Sequence, residues 1–176
     1  MTTILAASDH KRSDRRRVRC AVLTVSDTRT EETDRSGALL KARVEAAGHA
    51  VVAYDIVRDE PASVRAKVLT YAASGVVDAV LVNGGTGIAP RDTTYEAIAA
   101  LLERRLDGFG ELFRSLSFSE IGAAAMLSRA LAGVVASTVV FSMPGSSAAC
   151  ALAADRLILP ELGHVVGLLK PEKADV

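Results

Sequence analysis

Val76 to Leu106 reads VVDAVLVNGGTGIAPRDTTYEAIAALLERRL, and the fold is decided in this stretch. Asp78 to Val82 has the length and valine content of a buried strand. It runs into Asn83-Gly84-Gly85-Thr86-Gly87, where three glycines let the backbone take positive φ and approach a ligand closely. Pro90, Arg91 and Asp92 follow, and then a helix start. Thr93 with Glu96 predicts a capping box, and Ile98, Leu101 and Leu102 predict its apolar stripe. A strand, a glycine loop, a carboxylate and a helix N-terminus in this order suit phosphate and a divalent cation, through amide donors and an oxygen ligand. The same pieces also build an ordinary tight turn between a strand and a helix. A P-loop is excluded because no lysine lies between Lys67 and Lys170. A dinucleotide fingerprint is excluded because Pro90 stands where glycine or alanine is needed.

The 176 residues fit one domain with a sizeable core, and 49% apolar with 24% charged residues is ordinary for a globular protein. The formal net charge of zero supplies no field to recruit nucleic acid or an anionic membrane. Four Phe, three Tyr and no Trp are too few for a base-stacking platform, so no nucleic-acid partner is expected. Cys20 and Cys150 form no close-spaced metal or redox motif and read as reduced core thiols. Neither a signal-like segment nor an apolar run of membrane length is present, so the expected location is cytoplasmic with no membrane partner.

Residues 1–17 are polar and basic, with Lys11, Arg12, Arg15, Arg16 and Arg17 clustered, and read as a flexible arm before a single domain over residues 18–176. Val18 to Val25 predicts a buried strand ending in Ser26-Asp27-Thr28, which either meets a ligand or closes a local turn. Asp34 and Ser36-Gly37 open a helix with Leu40, Val44 and Ala47 on one face, and Gly48 closes it in the left-handed conformation. Ala50 to Val57 predicts a second strand that delivers Asp59 at its carboxyl end, and Pro61 suits the first turn of a helix with Val64, Val68 and Tyr71 inward. Asp59 is either a helix cap or, with Asp92, half of a divalent-metal site. Asp107-Gly108-Phe109-Gly110 reads as a break, Glu111 to Ala132 as one or two helices, and Val134 to Phe141 as a β segment. Ser142-Met143-Pro144-Gly145-Ser146-Ser147 then leads into a helix from Ala148, which Ser146 or Ser147 can cap. Leu157 to Leu169 reads as a short terminal helix or loop.

Alternating strands and helices predict an α/β fold with a mostly parallel sheet covered on both faces. Four loops then leave strand carboxyl ends along one rim: Ser26-Asp27, Asp59, Gly84 to Asp92, and Ser142 to Ser146. His10, His49 and His164 lie in none of them, which disfavours hydrolysis of the Ser-His-Asp kind. Transfer between phosphates needs no strong base, because the attacking phosphate is already anionic.

Thr24-Val25-Ser26-Asp27, Asp34-Arg35-Ser36-Gly37, Gly84-Gly85-Thr86-Gly87 with Pro90-Arg91-Asp92, and Met143-Pro144-Gly145-Ser146 occur in order and at fitting distances. In these motifs the chain resembles the molybdenum-cofactor biosynthesis proteins of the MogA/MoaB type, related to the G domains of plant Cnx and animal gephyrin. The likeness runs from about Val18 to Leu169, and Glu120-Ile121-Gly122 with Leu127-Ser128-Arg129-Ala130 leans towards the MoaB branch. It departs from the family at Tyr95, where proline is expected, and at Asn83, where Thr or Ser is commoner.

The resemblance implies a three-layer α/β/α sandwich assembled as a homotrimer or hexamer. It implies molybdopterin adenylyltransferase activity, in which molybdopterin attacks Mg-ATP to give adenylyl-molybdopterin and pyrophosphate. By position, Asp59 and Asp92 match the essential aspartates and are expected to be catalytic and to hold Mg2+. Gly84, Gly85, Thr86 and Gly87 are expected to hold phosphates, and Ser26, Asp27, Ser128, Pro144, Gly145 and Ser146 to line the nucleotide and pterin ends. The alternative is a catalytically silent molybdopterin-binding or scaffold protein of the MoaB type, handing cofactor to a MoeA-type molybdate-insertion enzyme. A nucleotide pyrophosphatase of the CinA type is a third reading, weakened by the absence of that protein's extra domain.

Overall fold

The computed structural model describes residues 16–170. Met1 to Arg15, with the basic cluster at Lys11, Arg12 and Arg15 and with His10, lies outside the described residues. Arg16, assigned to the arm from sequence, donates to the Lys170 carbonyl at 2.6 Å.

β1 (Arg19–Val25), β2 (Ala50–Val57) and β3 (Ala79–Asn83) form where valine-rich runs are bounded by polar turns. Between them lie α1 (Arg35–Ala46), begun by Asp34 accepting from the Gly37 amide, and α2 (Pro61–Ala73), with Pro61 in its first turn. Gly48 follows α1 at φ 86°, as expected of a left-handed helix stop. β3 leads through the glycine loop to α3 (Thr94–Ala99), then to β4 (Arg104–Arg105) and α4 (Asp107–Ile121). A 3-10 turn, Gly122–Leu127, precedes β5 (Leu131–Val135) and β6 (Thr138–Met143). α5 (Ser147–Ala153) passes through a wider π turn, Ala154–Ile158, before α6 (Leu162–Leu169).

The sheet order is β2-β1-β3-β6-β5-β4. β2, β1, β3 and β6 are parallel, whereas β5 pairs antiparallel with β6 and β4 antiparallel with β5. Helices cover both faces, as the continuous apolar runs of β1 and β3 require. On one face Val22, Leu81 and Met143 pack with Leu40 of α1, Phe113 of α4 and Leu162 of α6. On the other, Leu23, Val82 and Val140 pack with Val64 and Val68 of α2 and Ile98 of α3. These are the three layers.

Three sequence expectations are corrected. Asp107 to Gly110 is the first turn of α4 rather than a break, because Phe109 is buried in edge contact with Phe141, ring centroids 5.3 Å apart. Gly110 permits the approach, since a Cβ there would stand 2.6 Å from the Ala130 carbonyl oxygen. Glu111 to Ala132 is not helical throughout, for β5 has begun at Leu131. The β segment at Val134 to Phe141 is two strands of a tight hairpin turning at Ala136, φ 53°. Alanine at positive φ carries none of the glycine or asparagine signal by which such turns are read.

At the amino end of β3, Asp78 ties three segments together. Its carboxylate, with the side chain 8% exposed, accepts from the Arg19 guanidinium at 2.9 and 3.0 Å and from Lys170 Nζ at 2.8 Å. Burial works against the charge, but the Arg19 and Lys170 donors outweigh it and hold the carboxyl well below its usual range. The folded value is depressed, so its stabilisation is complete above the ordinary carboxyl value of about 3.9 and is lost as pH falls towards the folded one. Asp78→Asn is expected to cost about 1–2 kcal/mol at neutral pH, discounted for the half-exposed cations. Urea denaturation at pH 7 and pH 3 checks this, the gap between variant and wild type narrowing in acid.

Candidate functional site

The carboxyl ends of the parallel strands converge on one rim. Gly84 turns at φ 108° and Gly85 at φ 60°. A Cβ on Gly84 would run into the Val25 carbonyl, and one on Gly85 into Thr94 Oγ1 and the Asp59 carboxylate. The Gly84 amide donates to Met143 O at 3.1 Å, so it belongs to the sheet rather than to a ligand. The Gly85, Thr86 and Gly87 amides meet no acceptor among the described residues. Three free donors in succession form a nest for anionic oxygens.

Both predicted aspartates stand against this loop from different elements. Asp59 arrives from the end of β2. Its Oδ1 accepts from Thr93 N at 3.3 Å, Thr93 Oγ1 at 3.0 Å and Thr94 Oγ1 at 3.2 Å. The predicted capping box is therefore absent: Thr93 turns its hydroxyl to Asp59, and Glu96 pairs instead with Arg129. Asp59 begins no helix of its own but anchors the start of α3 from a different strand. Asp92 Oδ2 accepts from Ala89 N at 3.0 Å and would meet a Cβ on Gly87. Asp59 Oδ2 and Asp92 Oδ1 carry no hydrogen bond among the described residues.

The flanking loops are fastened to this centre. Asp27 Oδ1 accepts from the Asp59 amide at 3.3 Å, and Oδ2 pairs with Arg91. Ser26 Oγ is occupied in its own turn, accepting from Thr28 N and Arg29 N at 3.3 and 3.2 Å. Ser146 Oγ caps α5 by accepting from Ala149 N at 3.1 Å, and Pro144 O accepts from the buried Cys150 thiol at 3.4 Å. Gly145 lies so close to Gly84 that a Cβ there would stand 3.0 Å from its Cα. Ser128 is half-buried at the end of the 3-10 turn, with no side-chain hydrogen bond among the described residues. Asn83 faces the sheet interior, where Nδ2 donates to Thr24 Oγ1 at 2.8 Å and Oδ1 has no partner among the described residues.

Two arginines escaped the sequence reading as site residues. Arg29 donates to Gly145 O at 3.0 Å and pairs with the buried Asp34 at 3.3 Å, fastening the first loop to the last. Arg129, in the sequence only a member of the tract Leu127-Ser128-Arg129-Ala130, donates to Thr86 O at 3.1 Å, to Asp92 O at 3.0 Å and to Gly87 O. Its guanidinium lies 4.9 Å from the ring centre of Tyr95, the residue standing where the family prefers proline. Lone arginines carry no motif, and the only hint was the tract Leu127-Ser128-Arg129-Ala130.

Burial pushes the Cys20 and Cys150 thiols up to about 12, which leaves them chemically inert. His49 accepts from the Val18 amide at 3.2 Å and is held neutral by burial, a packing role. Among the described residues no group of three or more His, Cys, Asp or Glu is arranged to hold a metal. No helix among them is long and apolar enough to cross a membrane.

Against known proteins, the family described as a probable molybdopterin binding domain matches residues 21–164. Molybdenum cofactor biosynthesis protein B of Bacillus cereus is 53% identical over 162 residues, 92% of this chain and 96% of the relative. Its counterpart in Bacillus subtilis is 52% identical over 170 residues, 96% of this chain and 100% of the relative. A crystal structure of a molybdenum cofactor biosynthesis protein B superposes with a TM-score of 0.86 at 55% identity, covering 88% of this chain and 96% of that one.

Arg129 is the clasp on the glycine loop, so Arg129→Ala is expected to loosen that loop while leaving the sheet intact. Amide hydrogen exchange should quicken about tenfold or more at Ala89 and Asp92, whose amides are bonded within the loop, with protection in β1 and β3 unchanged.

Proposed function

The chain belongs to the molybdopterin-binding domain family of molybdenum cofactor biosynthesis proteins, and we propose that in this pathway it binds molybdopterin and adenylylates it. An oxygen of molybdopterin's terminal phosphate attacks the α-phosphorus of ATP. The new P–O bond forms as the α–β bridging P–O bond breaks, and the electron pair leaves with pyrophosphate. No protein base is required, because the attacking phosphate is already an anion.

One observation carries this reading: among the described residues, Asp59 and Asp92 flank a loop with three unpartnered amides, and each keeps one carboxylate oxygen free. The amides of Gly85, Thr86 and Gly87 suit phosphate oxygens. The two free carboxylate oxygens suit magnesium, which is commonly held by one or two carboxylates, with phosphates and water completing its shell. Asp59 and Asp92 are thus the residues that would hold Mg2+, and the ion, when bound, neutralises phosphate charge. Asp27, Arg29 and Gly145 keep the neighbouring loops in register around the nucleotide and the pterin, with Ser26, Ser128, Pro144 and Ser146 along the same rim. The silent-scaffold reading draws on Asp59 Oδ1, whose three donors give that carboxylate a structural duty independent of catalysis.

Pyrophosphate release from Mg-ATP on adding molybdopterin separates the two. Wild type is expected to turn over, and Asp92→Ala to fall by roughly a hundredfold or more with molybdopterin still bound. Tight molybdopterin binding without release in the wild type would leave the scaffold reading, with hand-over to a MoeA-type enzyme as its purpose.

The resemblance also implies self-assembly as a trimer or hexamer. The end of α4 and the 3-10 turn after it expose Phe118 at 63%, Ile121 at 56% and Met126 at 78%. Exposed apolar side chains grouped in this way are what a contact between subunits would cover. Phe118→Glu is expected to shift the light-scattering mass towards the monomer.

A further inference from the structure

Between α2 and the loop before α3 lies a cleft of about 360 Å³, at the small end for a ligand pocket. Pro61, Ile88, Pro90 and Ala97 form its largely apolar walls. Its charged groups are Arg65, Asp92, Glu96 and Arg129. Glu96 and Arg129 neutralise one another, leaving Asp92 and Arg65.

Arg65 sits in the second turn of α2, one residue after the fully buried Val64, which fixes the backbone from which it projects. It is half-buried, yet it has no hydrogen bond or ion pair among the described residues. The other arginines of this rim are engaged: Arg29 with Asp34, Arg58 and Arg91 with Asp27, and Arg129 with Glu96. A half-buried guanidinium that pairs with no carboxylate among the described residues keeps its donors available, and its planar fork matches two phosphate oxygens at once.

We infer that Arg65 binds the β,γ-diphosphate of the nucleotide and receives the departing pyrophosphate. The inference rests on the adenylyl-transfer reading for the identity of the anion. It is favoured over the molybdopterin phosphate because Arg65 shares its cleft with Asp92, the carboxylate suited to a metal that travels with a polyphosphate. When the α–β bond breaks, negative charge builds on the leaving diphosphate, and a fixed guanidinium stabilises it without transferring a proton.

Calorimetric titration of the full chain with magnesium pyrophosphate, Mg-ATP, AMP and molybdopterin tests this, using Arg65→Gln and Arg65→Lys. Arg65→Gln is expected to weaken pyrophosphate and ATP binding by about tenfold or more, the scale of a lost charge-assisted pair. AMP and molybdopterin binding should stay within twofold, which also reports an intact fold, and Arg65→Lys should recover part of the loss. Unchanged pyrophosphate and ATP binding in Arg65→Gln overturns the inference, as does a loss confined to molybdopterin or no pyrophosphate binding by wild type. A wild type that binds pyrophosphate through Arg65 but does not turn over keeps the anion site while the adenylyl-transfer reading fails.

Discussion

Everything on the functional rim depends on how closely three backbones meet at Gly84. Its Cα lies where any side chain would strike the Val25 carbonyl at the end of β1, and Gly145 from the loop after β6 presses on it from the other side. Dispersion and the Gly84 N–H bond to Met143 O hold this contact, and the missing Cβ atoms make it geometrically available. The chain then has to leave the sheet sharply, and it does so with positive φ at two successive residues. That exit turns the next three amides away from the ladder. The feature that could serve a ligand thus follows from the constraint that lets the strand ends pack.

Around that contact, charge does the fastening. Asp34 is buried at the start of α1, where it accepts from Thr24, Gly37, Ser36 and Tyr54 as well as pairing with Arg29. Burial alone would raise its carboxyl, but these donors outweigh it and keep the group ionised, below its usual range. Tyr54 shows the reverse side of the bargain, its phenol pushed up by burial and by the neighbouring carboxylate. Through Arg29 the Asp34 centre reaches Gly145, and through Asp27 the first loop reaches Asp59 and Arg91. A free carboxylate oxygen at Asp59 or Asp92 is held in place by partners on its other oxygen, which is how a site stays rigid before any ligand enters.

The strand runs, the helix opened at Asp34, the stop at Gly48 and Pro61 at a helix start were legible because each signal is local. The errors arose where tertiary contacts outweighed local propensity. Burial of Phe109 made helix out of two glycines, and the demand of Asp59 for a donor removed Thr93 from its capping box. Ala136 took a left-handed turn that glycine usually occupies, so the β5–β6 hairpin read as one strand. Of the candidate site residues, Asp59, Asp92 and the glycine loop meet, whereas the hydroxyls of Ser26 and Ser146 are used within their own turns.

By itself, then, the sequence determined the α/β class, the family and the loops that form the rim, since periodicity and motif order are written along the chain. The tertiary structure decided which atoms of those loops are free. Gly84's amide, Asp59 Oδ1 and the Thr93 hydroxyl were claimed by partners from other elements, while Asp59 Oδ2, Asp92 Oδ1 and Arg65 were left without one among the described residues. A polar atom's availability depends on what packs within hydrogen-bond reach of it, and that neighbourhood exists only once distant segments have come together.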